Sequence, residues 1–221
     1  NLSNAETWIR KSVGDGAELV LLPEFFTTAI GFSDKMFDAI SENRRVREQM
    51  LQWSHDFDIT LGGSFIEFDG ENAYNVFLLC FSDESIFEHK KDIPTQFENC
   101  YYTNGDTVNI LETPIGNIGI ALCWEMIRYD TVRRMIGNID IVLAGSCWWD
   151  LPDDASPERQ PLREYNQKLA AGPPARFAEL LQVPVIHANH FGTITALHFP
   201  NADTLKTRQL VGSAQIVSGQ G

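Results

Sequence analysis

The chain has 221 residues, of which 43% are apolar and 21% are charged, and its formal net charge is -13. These values exclude a disordered chain and are typical of one domain whose folding buries roughly 70% of the unfolded chain's surface. The acidic charge disfavours nucleic acid, because phosphate binding relies on lysine and arginine. No apolar run approaches the roughly 18 residues of a membrane helix. We therefore expect a single domain over residues 1–221 that binds neither nucleic acid nor membrane.

The first predicted element is a helix in "AETWIRKSV", where Ala5, Trp8, Ile9 and Val13 share one face and Gly14 and Gly16 end the pattern. The run "LVLLPEFF" has no polar residue before Glu24. A strand at the surface would alternate apolar and polar residues, whereas an unbroken run predicts a strand covered on both faces. This strand therefore carries the carboxylate of Glu24 towards the interior.

The next elements are a second amphipathic helix, predicted by the spacing from Val46 to Phe57, and three strands. "ITLGGSFIEF" and "AYNVFLLCF" form a pair around the turn "DGEN", and "ESIFEHK" continues the series.

The second half alternates strands and helices. "PIGNIGIALC" and "IDIVLAG" are predicted strands that flank a helix in "RYDTVRRMIG", and "DLPDDASPERQP" is predicted to be an acidic loop. "EYNQKLAAGPPARFAELLQ" is helical with a break at Pro173 and Pro174, and the strands "VPVIHAN", "TITALHF" and "GSAQIVSG" follow. This order predicts an α/β layered fold with a mixed sheet.

The four cysteines do not form a disulfide framework or a zinc motif. They are well separated and include no C-x-x-C pair. This cysteine pattern favours a reducing, cytoplasmic setting. No signal-peptide pattern opens the chain. The positions are Cys80, Cys100, Cys123 and Cys147.

Three segments place a reactive residue at or near a strand end, where active sites of open α/β sheets collect. These residues are Glu24, either Lys90 or Lys91, and Cys123. A thiol attacks a carbonyl or nitrile carbon as a thiolate, so it needs a base such as a glutamate. An ammonium group stabilises the oxyanion that forms, and the backbone N–H of Trp124 adds a second donor.

The segments that carry these residues resemble the signature segments of the nitrilase superfamily of carbon-nitrogen hydrolases. They are "GAELVLLPEFF", "KKDIPTQFENCYYTNGD" and "GNIGIALCWEMIR", and weaker similarity follows in "VPVIHANHFG" and "VGSAQIVSGQG". The resemblance implies a four-layer α-β-β-α sandwich that forms a homodimer or a larger homo-oligomer. It implies neither a metal ion nor an organic cofactor.

The resemblance also implies residue roles. Glu24 is the general base and acid, Cys123 the nucleophile, and Glu98 an auxiliary carboxylate. Lys91 is favoured as the catalytic lysine, with Lys90 as the alternative. Apart from the resemblance, the aromatic residues near these positions predict a tight, partly apolar pocket in which Trp124, Phe25 and Trp148 bind the substrate and Phe26 forms a further wall.

The implied reaction is hydrolysis of a non-peptide C–N bond in a small amide or N-carbamoyl compound. It proceeds through a cysteine acyl-enzyme and releases ammonia or an amine. Nitrile hydrolysis and acyl transfer on the same site remain open, and so does an inactive interaction domain of the same fold.

Some features depart from the family pattern. The family's first strand normally precedes the first helix predicted here, and its closing strands normally follow the point where this chain stops. Terminal strands are therefore expected to be missing, either from an incomplete or excised domain or by loss of both ends. Arg128 lies one position further from the cysteine than in members where an arginine holds a substrate carboxylate, so this role is not transferred.

Two competing signals are weaker. On a strand, the spacing of His187 and His190 directs their rings to opposite faces, which favours ordinary histidines over metal ligands. Cys147 is a rival nucleophile without an acid or base nearby in sequence.

Overall fold

The computed structural model describes residues 1–29, 45–105, 108–197 and 204–219. Three quoted segments, "KKDIPTQFENCYYTNGD", "TITALHF" and "VGSAQIVSGQG", end outside the described residues, at positions 106, 198–199 and 220–221.

The described residues form five α-helices and twelve strands, and short 3₁₀ helices lie between some of them. The helices are α1 Leu2–Gly14, α2 Val46–Phe57, α3 Tyr129–Met135, α4 Gln160–Ala171 and α5 Pro173–Leu181. The strands are β1 Leu19–Leu21, β2 Thr60–Phe68, β3 Ala73–Cys80, β4 Ile86–Lys90, β5 Ile110–Thr113, β6 Gly116–Leu122, β7 Ile141–Ser146, β8 Trp149–Pro152, β9 Val185–Asn189, β10 Phe191–Leu197, β11 Leu205–Val211 and β12 Gln215–Val217.

One sheet contains four strands in the order β1-β2-β3-β4, with β1 parallel to β2 and the other pairs antiparallel. Helices α1 and α2 cover one face of this sheet. Ile9 of α1 and Met50 of α2 share a buried apolar cluster with Val20 and Leu61 of the sheet. Burial of these side chains stabilises the layer by roughly 1.5–3 kcal/mol for each residue.

A second sheet contains five strands in the order β12-β9-β7-β6-β5. Strands β6, β7 and β9 run parallel to one another, as expected for strands joined by helical connections. Helices α3 and α5 cover the outer face, where Met135 and Phe177 pack with Val142 of β7.

The two sheets pack face to face through apolar side chains. Phe77 and Leu79 of β3 meet Leu122 of β6 and Leu143 of β7 in one buried cluster. Together with the helices on both outer faces, this packing makes four layers in the order α-β-β-α. The predicted fold class is confirmed.

A third sheet, in the order β10-β11-β8, corrects one prediction from the sequence. The segment "DLPDDASPERQP" was expected to be a loop, but its start belongs to β8 and α4 begins at Gln160. Strands β5 and β11 were also not predicted. In β11, a single residue, Leu210, is buried, so the strand lacks the alternating apolar pattern that would mark it in the sequence.

No helix among the described residues is long and apolar enough to cross a membrane.

Gly63 of β2 allows the chain after β1 to pack closely, and this makes a test of the fold. A Cβ atom at Gly63 would lie 2.9 Å from Cβ of Leu22. Because that atom is fixed to the backbone, Gly63→Ala must displace the segment that leads to Glu24. We expect the free energy of unfolding to fall by roughly 1–3 kcal/mol in urea denaturation.

Gly14→Ala is the control for this substitution, because a Cβ at Gly14 meets nothing within 4 Å. Equal effects of the two substitutions would contradict the close packing of β2 on the segment after β1.

Candidate active site

Glu24 lies between the two central sheets. It follows β1, whose Val20 packs towards α1 and α2 while Leu19 and Leu21 pack between the sheets. The strand is therefore covered on both faces, as predicted, and Glu24 is fully buried. Gly145 of β7 permits the approach, because a Cβ atom there would lie 3.1 Å from the Glu24 nitrogen.

Three donors bind the Glu24 carboxylate. Oε1 accepts hydrogen bonds from Asn75 Nδ2 at 2.8 Å and from Lys91 Nζ at 2.9 Å. Oε2 accepts one from the backbone N–H of Cys147 at 3.0 Å. Asn75 and Lys91 belong to or follow the four-stranded sheet, whereas Cys147 follows β7 of the five-stranded sheet. The carboxylate thus joins the two halves of the sandwich.

Lys91 follows β4 and is 1% exposed. Besides Glu24, its ammonium donates to Glu98 Oε2 at 2.9 Å and to Thr95 Oγ1 at 3.0 Å, so each of its three N–H groups has an acceptor. Burial by itself would lower the pKa of Lys91, but the charges of Glu24 and Glu98 raise it well above its ordinary value. Lys91 therefore stays protonated throughout the physiological pH range.

Glu98 is held by a short 3₁₀ helix, Gln96–Cys100, that starts after Thr95. Its Oε2 also accepts the backbone N–H of Thr95 at 2.8 Å, which forms a capping box. Burial raises the pKa of Glu98, the nearby charge of Lys91 opposes this shift, and the charge of Glu24 adds to it.

Lys90, the alternative lysine, points elsewhere. Its Nζ lies 4.2 Å from the centre of the Tyr74 ring. Lys91, and not Lys90, is the lysine whose ammonium contacts Glu24.

Cys123 directly follows β6 and begins the 3₁₀ helix Cys123–Ile127. Its φ angle of 51° lies in the left-handed region, which costs a residue with a side chain about 1–2 kcal/mol. This sharp turn between strand and helix sets where the thiol points. Burial, and next the negative charge of Glu24, raise the pKa of Cys123 well above that of a free thiol, although Lys91 opposes the shift.

Cys123 and Glu98 line a cleft of about 230 Å³. Trp124 and Trp148 also line it and stack on each other, with ring centroids 6.0 Å apart and planes 9° apart. Asn166 of α4 accepts a hydrogen bond from the Trp148 indole at 2.9 Å. The cleft therefore has an aromatic wall that α4 holds in place.

The two phenylalanines after Glu24 are not among the residues that line this cleft. Phe25 is fully buried and stacks on Tyr102, with ring centroids 5.6 Å apart. Phe26 packs edge-on against Phe65 in the core beneath α1 and α2. Both rings pack in the interior and not in the cleft, because the chain turns at Phe25, whose φ is 51°.

The remaining candidates from the sequence occupy separate positions. Cys147 lines the same cleft as Cys123, and its backbone N–H binds Glu24. His187 contacts Ser146 Oγ at 2.9 Å, and burial lowers the pKa of its ring to about 4. His190 Nε2 donates to the Glu24 carbonyl oxygen at 2.7 Å, so the two histidines have different partners.

Arg128 does not line the cleft. Its guanidinium forms a two-point ion pair with Asp92, one contact being 2.8 Å, and Arg134 binds the same carboxylate at 2.6 Å. This pairing ties the segment after Cys123 to the residue after Lys91.

Two buried residues of the site were missed in the sequence. Asn75 interrupts the otherwise apolar run "AYNVFLLC", and this interruption could have identified it. Glu125, two positions after Cys123, is fully buried. A glutamate next to a short apolar run gives no comparable signal, because such residues usually lie at the surface.

Glu125 links the lysine segment to the cysteine segment. Its carboxylate accepts the backbone N–H groups of Asp92 at 2.9 Å and Leu122 at 2.7 Å. It also contacts His89 Nε2 at 3.1 Å and Asn109 Nδ2 at 3.2 Å. One carboxylate therefore fixes the end of β4 relative to the end of β6.

A family model described as "Carbon-nitrogen hydrolase" matches residues 1–221. The chain belongs to this family. It is 32% identical over 180 residues to Nitrilase 3 of Arabidopsis thaliana, a match that covers 70% of this chain and 51% of that protein. It is 31% identical over 144 residues to the chloroplastic omega-amidase of the same plant, covering 57% of this chain and 38% of that protein. The chain thus spans about half or less of these relatives.

The fold also matches a solved structure. A carbon-nitrogen hydrolase from Helicobacter pylori G27 superposes with a TM-score of 0.81 at 19% identity, covering 99% of this chain and 76% of that one. The likeness supports the four-layer fold.

Glu125→Gln tests the link between the two segments. The Gln amide group can accept hydrogen bonds through one oxygen, so at least one backbone N–H of Asp92 or Leu122 faces an NH₂ group. We expect the free energy of unfolding to fall by roughly 1–3 kcal/mol, measured by urea denaturation. Glu112→Gln, at an exposed position on β5, is the matched control and should leave stability nearly unchanged.

Proposed function

We propose that the chain hydrolyses the C–N bond of a small amide or N-carbamoyl compound, with Cys123 as the nucleophile. One observation carries this proposal: the Lys91 ammonium lies 2.9 Å from the carboxylates of both Glu24 and Glu98, beside the cleft that Cys123 lines. A buried cation between two carboxylates is costly to desolvate. Near a thiol, however, this group of side chains supplies a base, the Glu24 carboxylate, and a positive charge, the Lys91 ammonium.

The first step in this proposal is attack by the thiol. Because the raised pKa keeps the Cys123 thiol protonated at neutral pH, attack requires a base. Glu24 removes the S–H proton as sulfur bonds to the carbonyl carbon, and the C=O electron pair moves to oxygen. This transfer moves negative charge away from the carboxylate and onto the substrate.

The oxyanion of the tetrahedral intermediate needs donors. The backbone N–H of Trp124 lies in the first turn of the 3₁₀ helix, where such groups lack an intrahelical acceptor. Lys91 contributes its positive charge. Once Glu24 is protonated it accepts less strongly from Lys91, and one ammonium N–H can turn to the oxyanion.

The proton on Glu24 then passes to the leaving nitrogen as the C–N bond breaks, releasing ammonia or an amine and leaving a thioester on Cys123. In the second half, Glu24 takes a proton from water, which attacks the thioester carbon. Collapse of this intermediate releases a carboxylic acid and returns the proton to sulfur. No step needs a group beyond these side chains and water.

The lining of the cleft favours a small, uncharged acyl group. The volume of the cleft is smaller than that of clefts that hold drug-sized ligands. Apolar surface is supplied by Trp124, Trp148 and Leu169. Gln96 and Asn166 add neutral polar groups, and Glu98 is the charged side chain among the described lining residues. A substrate with a carboxylate would meet this negative charge.

Nitrile hydrolysis is the second candidate, because the matched relatives include Nitrilase 3. A nitrile carbon would form a thioimidate with Cys123 through the same base and donors. Amide cleavage is preferred because it consumes one water molecule, whereas conversion of a nitrile to an acid consumes two and needs a further water attack on the thioimidate before ammonia leaves.

The test is a panel of small amides, ureas and nitriles, with ammonia release and intact mass as readouts. We expect ammonia from uncharged amides, weaker release from a monoamide of a dicarboxylic acid, and an acyl adduct on Cys123. Cys123→Ser should abolish release, and Cys100→Ser, at an exposed position, should retain it. Absence of ammonia from every compound, with Cys123 unmodified, would contradict the proposal.

A further inference from the structure

Asn75 is an unusual residue for its position. Alternation along β3 places it on the same face as Phe77 and Leu79, which pack between the two sheets. Asn75 is 2% exposed, and burying an amide group costs free energy unless its polar atoms have partners. Its Nδ2 donates to Glu24 Oε1 at 2.8 Å, but its Oδ1 has no hydrogen-bond partner among the described residues. The amide therefore serves Glu24 while its own acceptor stays unsatisfied.

The two oxygens of Glu24 are occupied differently. Oε1 accepts from both Asn75 and Lys91, which uses its two lone pairs. Among the described residues, Oε2 accepts from the Cys147 N–H alone, which leaves one lone pair for a proton. Protonation of Oε1 would require loss of one of its donors, whereas protonation of Oε2 would not.

The vacant lone pair belongs to Oε2, the Glu24 oxygen that binds the sheet from which Cys123 comes. Oε2 binds the residue after β7, and β7 pairs directly with β6, which Cys123 directly follows. Oε1 instead binds Asn75 on the other sheet. Asn75 further accepts the backbone N–H of Lys91 through its carbonyl oxygen at 2.9 Å, so one residue sets the positions of both partners.

We propose that Asn75 is a positioning residue that fixes the Glu24 carboxylate so that Oε2 is the oxygen that takes the Cys123 proton. The inference rests on the proposed function, in which Glu24 is the base. Without the amide donor, the carboxylate can rotate and Oε1 competes for the proton in a direction away from the thiol. The ionised form of Glu24 also loses one of its three hydrogen bonds.

The test compares Asn75→Leu with the unmodified protein in two assays across acidic to mildly alkaline pH. One measures kcat/KM on an uncharged amide, and the other measures the rate of Cys123 alkylation by iodoacetamide, read by peptide mass spectrometry. We expect kcat/KM to fall roughly ten- to a hundred-fold, the range for a hydrogen bond to a charged group. The acid limb of each pH profile, the range in which the rate rises with pH, should move to higher pH by about one unit. KM should be nearly unchanged, because Asn75 does not line the cleft.

Asn75→Asp is the second variant and keeps the shape of the side chain. Its carboxyl group can donate to Oε1 while protonated, but after ionisation it repels Glu24. Activity should therefore be best at the acidic end and fall as the pH rises, opposite to Asn75→Leu. If Asn75→Leu does not fold, the pH profile of Asn75→Asp alone tests the inference. A pH profile of Asn75→Asp that equals that of the unmodified protein would overturn it.

Asn109→Leu is the matched control. Asn109 is also buried, its Nδ2 also donates to a buried carboxylate, Glu125, and its Oδ1 also lacks a partner among the described residues. Its replacement should lower the thermal unfolding temperature while the acid limb stays in place. Alkylation of the exposed Cys100 should be the same in all variants and is the internal reference.

The outcomes separate the two proposals. If the unmodified protein cleaves no amide but the alkylation limb still moves in Asn75→Leu, the positioning role stands and the hydrolase function fails. If the protein is active and the limb stays unchanged in Asn75→Leu, or moves equally in Asn109→Leu, the positioning role is wrong and the function stands.

Discussion

The ammonium of Lys91 must remain charged in a place without water, and the arrangement of the site follows from this constraint. Transfer of a lone cation into the interior costs several kcal/mol, which only close opposite charges and good hydrogen bonds offset. Glu24, Glu98 and Thr95 supply these partners at 2.9–3.0 Å. Glu24 comes from a different part of the chain, so the site forms only when the first strand and the lysine segment are both in place.

Glu24 is also where the two sheets meet. One of its oxygens binds the four-stranded sheet side and the other binds the end of β7. A carboxylate held from both sides has little freedom to rotate, and this preorganisation reduces the reorganisation needed when a proton moves. The same burial disfavours a thiolate on Cys123 at rest, because the surrounding charge has an excess of carboxylate. In the proposed reaction, this geometry favours proton transfer from Cys123 to Glu24 during attack over a thiolate that is already ionised before the substrate binds.

A second set of contacts surrounds the Glu24–Lys91 pair and holds the lysine and cysteine segments together. Glu125 ties the backbone of Asp92 to that of Leu122, and Arg128 ties the same two segments through Asp92. These contacts join the lysine segment to the cysteine segment without entering the cleft. The strained φ angles at Phe25 and Cys123 fall where the chain turns directly after Glu24 and directly after β6. Strain of this kind persists only where the surrounding packing holds the chain in place.

Apolar runs and periodicity were enough to predict the layered α/β fold and the three strand ends that carry Glu24, the Lys90–Lys91 pair and Cys123, because both are local properties of the chain. These patterns did not identify β11, in which Leu210 is the single buried residue. The sequence favoured Lys91 but left Lys90 open, since one residue of register decides which side chain points inward. It placed Phe25 on the substrate side, whereas the left-handed turn directs that ring against Tyr102. The contacts of Asn75, Glu125 and the Cys147 N–H with their partners were decided only by the tertiary structure. They join residues far apart in the chain, and one of them is a backbone group that carries no sequence signal.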